Sequence, residues 1–268
     1  MHARPEEHHH EPRAHPAYAF RAWSEISERL KAAEPRVLLL DFDGTLVRLR
    51  RNPLDAKLSE RAKKILQRLA CTPKVTVAIV SGRSARVVQK LVGVEEVDYF
   101  GLHGSEQPGA EPKVSGEELR ALHSAKKTVR KRLREFAGVG MEDKGLGFTV
   151  HYRGAGDAAV RGANQALLAT VAPLRHALDI HNGKKVWEVL PRQIAGKGSA
   201  VRKMMEQFPD TARVMYIGDD EPDEPAFAVL EGHVTVHVGK NEDTHARFYL
   251  RNPGEVLRFL GMLEKELR

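Results

Sequence analysis

A single cysteine, Cys71, is the only thiol in this 268-residue sequence, so no internal disulfide can staple the chain. That agrees with a reducing compartment. Cys71 ends an apolar-periodic stretch and is expected to pack as an inert residue. No apolar run approaches the roughly 20 residues that a bilayer-spanning helix needs, and the N-terminus lacks the apolar core of a secretory signal. A cytoplasmic protein without a membrane partner is therefore expected. Aromatic residues make up only 6% of the chain, and none interleaves the one dense basic run, Lys126 to Arg134. A stacking platform for nucleic acid would need them there. The formal charge of +7 is thus read as scattered solvated residues, with no nucleic-acid partner.

What is present suits a soluble globular protein: 41% hydrophobic and 29% charged residues, in a chain long enough for one large domain or a core with an insertion. Met1 to Ala17 is rich in His, Pro, Glu and Arg, cannot build a core, and is expected to be a disordered tail. Helical spacing of Phe20, Trp23, Ile26 and Leu30 predicts a helix over Tyr18 to Ala33. Arg36 to Phe42 reads as a strand buried on both faces. A helix (Ser59 to Ala70), a strand (Val75 to Val80), a helix (Ala85 to Val92) and a strand near Tyr99 to Leu102 follow. This alternation predicts a Rossmann-like parallel sheet with helices on both faces.

The rhythm changes after Gln107-Pro108-Gly109. A basic helix (Ser115 to Phe136), a strand (Gly147 to Tyr152), a helix (Asp157 to Val171) and a hairpin around His181 to Lys184, with Asn182-Gly183 as its turn signal, predict an inserted α+β cap. The fold class is accordingly α/β, with a core formed by residues 18–107 and 191–268 and a cap formed by 108–190. Alternation resumes with strands Val214 to Ile217 and His233 to Val238, a short helix from Pro225 to Leu230, and a closing helix from Pro253 to Leu267.

Four strand ends carry the chemistry. Asp41-Phe42-Asp43-Gly44-Thr45-Leu46 puts two carboxylates at the carboxyl end of a buried strand, where a hard divalent cation could bind. Ser81-Gly82-Arg83 offers a hydroxyl and helix N-terminal amides to a phosphate oxygen. Lys197, between Gly196 and Gly198, could neutralise charge shared by a phosphoryl group and an aspartate. Asp219 offers another oxygen to the same cation, and Asp220 and Asp223 could act through water. Taken singly, each element has a plainer explanation: an Asp-rich turn, a serine N-cap, a solvated lysine, capping acids. Together they form the inventory that phosphoryl transfer requires.

These four elements resemble the motifs of the haloacid-dehalogenase-like phosphatases, from about Val37 to Leu263. The resemblance implies Asp41 as nucleophile and Asp43 as general acid and base. It implies a magnesium ion held by the Asp41 side chain, the Asp43 backbone carbonyl and the Asp219 side chain, with phosphate on Ser81, Gly82 and Lys197. Gly101-Leu102-His103-Gly104-Ser105-Glu106, Val150-His151-Tyr152-Arg153 and Lys184 to Pro191 resemble the trehalose-6-phosphate phosphatase branch more closely than others. That implies substrate contacts from His103, Glu142, Lys144, Arg153, Lys184 and Glu188, and an aspartyl-phosphate route for the last step of trehalose biosynthesis. The expected partner is a small sugar phosphate and the expected state a monomer. Rival readings keep the chemistry but change the ester, to mannosyl- or glucosyl-3-phosphoglycerate or sucrose 6-phosphate, or keep the ligand without hydrolysis.

Overall fold

The computed structural model describes residues 15–50, 55–110, 113–183, 185–194, 196–240 and 242–268. In chain order the elements are β1 (Ala17–Tyr18), α1 (Trp23–Lys31), β2 (Arg36–Leu40), α2 (Glu60–Ala70), β3 (Val75–Val80), α3 (Ala85–Val92) and β4 (Asp98–Phe100). Next come α4 (Gly116–Arg132), β5 (Gly140–Asp143), β6 (Phe148–His151), α5 (Asp157–Val171), β7 (Leu178–Gly183) and β8 (Val186–Pro191). The chain closes with α6 (Lys197–Met205), β9 (Arg213–Gly218), α7 (Glu224–Val229), β10 (Val234–Val238), β11 (Phe248–Leu250) and α8 (Pro253–Leu267).

Seven strands pair in parallel in the order β1-β11-β10-β9-β2-β3-β4. The all-buried run of β2 explains its central place, because its alternate side chains serve two different cores. Leu38 and Leu40 pack on one face with Ile26 and Leu30 of α1, Leu66 of α2, Val88 of α3 and Phe259 of α8. Val37 and Leu39 pack on the other with Ala200 and Val201 of α6 and Phe227 of α7. Truncating Leu38 or Leu39 to alanine would cost about 2–5 kcal/mol through lost burial and the cavity left behind.

The second sheet is antiparallel, in the order β5-β6-β8-β7. Its apolar face, including Phe148, Val150 and Val189, packs on Ala125 and Val129 of α4 and on Ala163 and Leu167 of α5. The capping box at Ser115 and Glu118 starts α4.

Four local expectations differ from what is found. Tyr18 pairs with Tyr249 in the parallel sheet, so the first helix begins only at Trp23. Ala17, expected in the tail, pairs with Phe248; residues 1–14 of that tail lie outside the described residues. Asn182 and Gly183 remain in strand pairing, opposite Trp187 and Val186, so the turn lies beyond them, where Lys185 takes φ +67°. Cys71 is exposed at the C-terminus of α2, because the buried stripe of that helix runs through Ala62, Ile65, Leu66 and Leu69 and stops before it.

Candidate active site

Neighbouring strands β9, β2 and β3 are followed at once by Asp219, Asp41 and Ser81, so the sheet itself brings three of the four sequence elements to one edge. Beyond β2 the chain keeps its pairing for one residue, with Asp41 N–H donating to Ile217 O at 2.9 Å, and fully buried Phe42 anchors the turn. Gly44 then takes φ +87°, and Gly44 N–H donates to Val47 O at 2.8 Å. A Cβ at this glycine would fall 2.1 Å from Asp219 Oδ2, so only glycine lets the two loops approach this closely. Buried Thr45 and Asp219 are in contact beside it, with Oγ1 and Oδ1 3.5 Å apart.

Carboxylate oxygens of Asp41, Asp219 and Asp223 lie within 4.8 Å of one another, all on buried residues. Lys197, at the N-terminus of α6, places Nζ 2.6 Å from Asp41 Oδ1 and 2.7 Å from Asp223 Oδ1. Asp223 is the hub of its loop. It also accepts from Tyr216 Oη at 2.7 Å and from the backbone N–H groups of Asp219 and Asp220 at 3.0 and 3.1 Å. Asp223 thus joins Asp41 and Asp219 directly, beyond the water-mediated role the sequence suggested for it. Asp220 instead caps the following turn, accepting from Glu221 N–H at 2.9 Å.

Three buried carboxylates are gathered here beside the Lys197 ammonium, which pairs with two of them. Burial, reinforced by Asp223 and Asp43 and opposed by Lys197, pushes the Asp41 carboxyl up to about 7. Burial alone would lower the Lys197 ammonium, but Asp223 and Asp41 hold it well above its ordinary value. Asp41 Oδ2 is buried with no hydrogen-bond partner. An orphaned carboxylate oxygen beside two further carboxylates is an all-oxygen donor set, the kind that suits magnesium or a similar hard cation. The residues fit that group.

The Asp43 carboxylate does not join this cluster. Arg83 holds it by a two-pronged ion pair, Nε to Oδ2 at 2.5 Å and Nη2 to Oδ1 at 2.6 Å. Arg83 was legible only as the third residue of Ser-Gly-Arg, and nothing in the sequence ties it to a carboxylate forty positions earlier. Ser81 is buried; its Oγ accepts from Arg83 N–H at 3.2 Å, and its carbonyl accepts from His103 N–H at 2.9 Å. A Cβ on Gly82 would sit 3.0 Å from the His103 ring, so this glycine admits the imidazole. Leu102 and His103 both have positive φ, +46° and +58°, in the turn that presents the ring. Glu106 accepts from Ala85 N–H at 2.8 Å and so serves the start of α3.

Opposite His103 lies the polar face of the four-stranded sheet. Register puts Glu142, Thr149, Glu188 and His181 in one row across its strands. Buried Glu188 meets His103 Nε2 at 2.5 Å, joining the two sheets' lobes. Burial would raise the Glu188 carboxyl, but His103, with Lys144 and His181, holds it down at about 2. His181 is itself lowered, first by burial and then by His103. Half-exposed Glu142 meets His151 Nε2 at 2.9 Å, and that hydrogen bond, aided by the charges of Lys144, His151 and Arg83, holds its carboxyl low. Arg153 is exposed just beyond β6. Lys184 lies outside the described residues. The lobes also approach each other at Gly183, where an added Cβ would come 3.7 Å from Asp220 Oδ2. His151 and His181 were not singled out in the sequence, though their alternation with apolar Val150 and Ile180 marks them as facing away from the core.

Comparison with known proteins gives a consistent picture. A family model described as trehalose-phosphatase matches residues 39–253. The chain is 32% identical over 257 residues to a trehalose-phosphate phosphatase of Mycobacterium bovis, covering 91% of this chain and 64% of that protein. It is 34% identical over 269 residues to the Mycobacterium marinum counterpart, covering 92% and 68%. It therefore spans a little under two thirds of the length of the first of these relatives. Among solved structures, the C-terminal domain of a Candida albicans trehalose-6-phosphate phosphatase superposes with a TM-score of 0.78 at 23% identity, covering 94% and 98% of the two chains. That likeness speaks to the fold.

Proposed function

From the trehalose-phosphatase family, to which this chain belongs, we propose that it hydrolyses trehalose 6-phosphate to trehalose and phosphate, the last step of trehalose biosynthesis. The observation that carries this is the convergence of Asp41, Asp219 and Asp223 with Lys197 in one buried cluster. Phosphate monoesters react with water so slowly that positioned charge must supply most of the acceleration, and this cluster supplies charge of both signs.

In this reading an Asp41 carboxylate oxygen attacks phosphorus as the bond from phosphorus to the sugar oxygen breaks. The Asp43 carboxyl gives its proton to the departing alkoxide. Asp43 then takes a proton from water, whose oxygen attacks phosphorus and breaks the bond to Asp41. Phosphate leaves and the Asp41 carboxylate is restored. Magnesium held by the Asp41 and Asp219 side chains and the Asp43 backbone carbonyl would, when bound, neutralise the carboxylate against the incoming phosphate. Lys197 and the Ser81-Gly82 turn bind the phosphate oxygens, and the Asp220-Asp223 loop steadies the acids around them.

Residues 108–190 act as the cap over a core built from 18–107 and 191–268. His103, Glu142, Lys144, Arg153, Lys184 and Glu188 orient the disaccharide, whose hydroxyls compete for carboxylates now paired with histidines. The same reading takes the protein as a cytoplasmic monomer without nucleic-acid or membrane partners. No described helix is long and apolar enough to cross a membrane.

The test is phosphate release from a panel of esters with and without magnesium. Trehalose 6-phosphate should be turned over well ahead of sucrose 6-phosphate and of mannosyl- and glucosyl-3-phosphoglycerate, and only with the metal. Equal or faster turnover of a phosphoglycerate glycoside would overturn the substrate; binding of trehalose 6-phosphate without turnover would overturn the enzyme.

A further inference from the structure

Hydrolysis by this route needs the Asp43 carboxyl to be aimed at the leaving and attacking oxygens, and each of its two oxygens accepts a hydrogen bond from Arg83. A fork of two parallel N–H···O bonds fixes the plane of a carboxylate as well as its position. Arg83 is itself fixed. Its guanidinium lies 5.7 Å from the centre of the Phe42 ring, its backbone carbonyl accepts from Leu102 N–H at 2.8 Å, and its N–H donates to Ser81 Oγ at 3.2 Å. It is thereby tied to the turn carrying Asp43, to the phosphate-binding serine and to the turn carrying His103. The Asp43 side chain is 28% exposed and reaches solvent, while that of Arg83 is 11% exposed. A water-facing carboxylate on a tight turn has several rotamers open to it, and Arg83 selects one.

Resting on the covalent reading of the site, we infer that Arg83 is a positioning residue for the reaction. It orients the Asp43 carboxyl toward the leaving and attacking oxygens.

The experiment compares Arg83→Ala and Arg83→Lys with the parent protein in full-length form, on two esters. With trehalose 6-phosphate, Arg83→Ala should lower kcat about 10²-fold, the loss that follows from a misplaced acid-base group, with KM moving less than about threefold. With p-nitrophenyl phosphate the leaving group departs without a proton. There Arg83→Ala should release one equivalent of nitrophenolate within about threefold of the parent rate and then turn over slowly, because water attack still needs Asp43. Arg83→Lys, which keeps the charge without the fork, should recover only part of the lost kcat.

Equal loss of the nitrophenolate burst and of steady-state turnover would make Arg83 a folding or phosphate-binding residue and overturn the inference. So would a loss carried by KM, or no loss at all. Failure of the parent protein to release phosphate from trehalose 6-phosphate would sink the substrate assignment instead, and the aryl ester would still decide the role of Arg83.

Discussion

The parallel sheet and the antiparallel sheet both carry acids facing the same space, but they hold them in opposite ways. At the edge of the parallel sheet Asp41, Asp219, Asp223 and Lys197 are buried and bound to one another across three chain segments. On the antiparallel sheet Glu142, Lys144 and Arg153 are partly or fully exposed, and Glu142 and Glu188 are paired with histidines. The first arrangement holds its charged groups in place before any ligand arrives, as chemistry that depends on preorganised charge requires. The second is a set of replaceable contacts, suited to a polyol whose hydroxyls exchange for the present partners. On the proposed roles, substitutions on the antiparallel sheet should alter recognition with little damage to the chemistry at the parallel sheet.

Substitutions on either lobe, and changes of pH or metal, probe that contrast. The largest effect belongs to Asp41→Asn, which should lower phosphate release from every ester by about 10⁴-fold or more while circular dichroism stays unchanged. Retained activity would remove the nucleophile from the account.

Acid pH should act on the cap-side contact. The Glu188 carboxyl lies near 2 in the folded state, below its ordinary 4.5, so its contribution is complete above about 4.5 and is lost as pH falls through about 2. The shift corresponds to about 3 kcal/mol. Denaturant unfolding across that window should show this loss in the parent protein and a flatter profile in Glu188→Gln.

Magnesium should stabilise the parent by about 2.7 kcal/mol at a hundredfold excess over its dissociation constant, read as a higher melting temperature. Asp219→Asn should lose most of that gain, whereas Glu142→Gln should keep it. A gain that survives Asp219→Asn would place the ion elsewhere.

The smallest effect is the most discriminating. Glu188→Gln should raise KM for trehalose 6-phosphate about 10-fold, the scale of one charge-assisted hydrogen bond, and leave kcat for p-nitrophenyl phosphate within about twofold. Losses on both esters would mean that the cap also does chemistry.

How much of this was legible in the sequence also divides between the two regions. The core site was readable because unbroken apolar runs such as Val37 to Leu40 and Val214 to Ile217 announce parallel strands, and parallel strands must deliver their C-terminal loops to one edge. Asp41, Ser81 and Asp219 could thus be assembled by topology alone. The grip of Arg83 on Asp43 could not, because a side-chain pairing between two loops leaves no periodic trace. In the cap, helix α5 was found to the residue, from Asp157 to Val171. Strand β5, Gly-Met-Glu-Asp, is too short and polar to show alternation, so Glu142 was assigned through resemblance without its strand. Two-residue β1 exists only because β11 offers it an edge, which no local pattern records. The hairpin turn moved because Lys185, and not Asn182 or Gly183, adopts the left-handed backbone.

The most direct test of the central claim is acid quenching of the protein during turnover of trehalose 6-phosphate labelled in its phosphoryl group, with mapping of the labelled peptide. The account predicts acid-stable label on Asp41, absent in Asp41→Asn. Label on another residue, or rapid turnover with no labelled protein at any quench time, would contradict it.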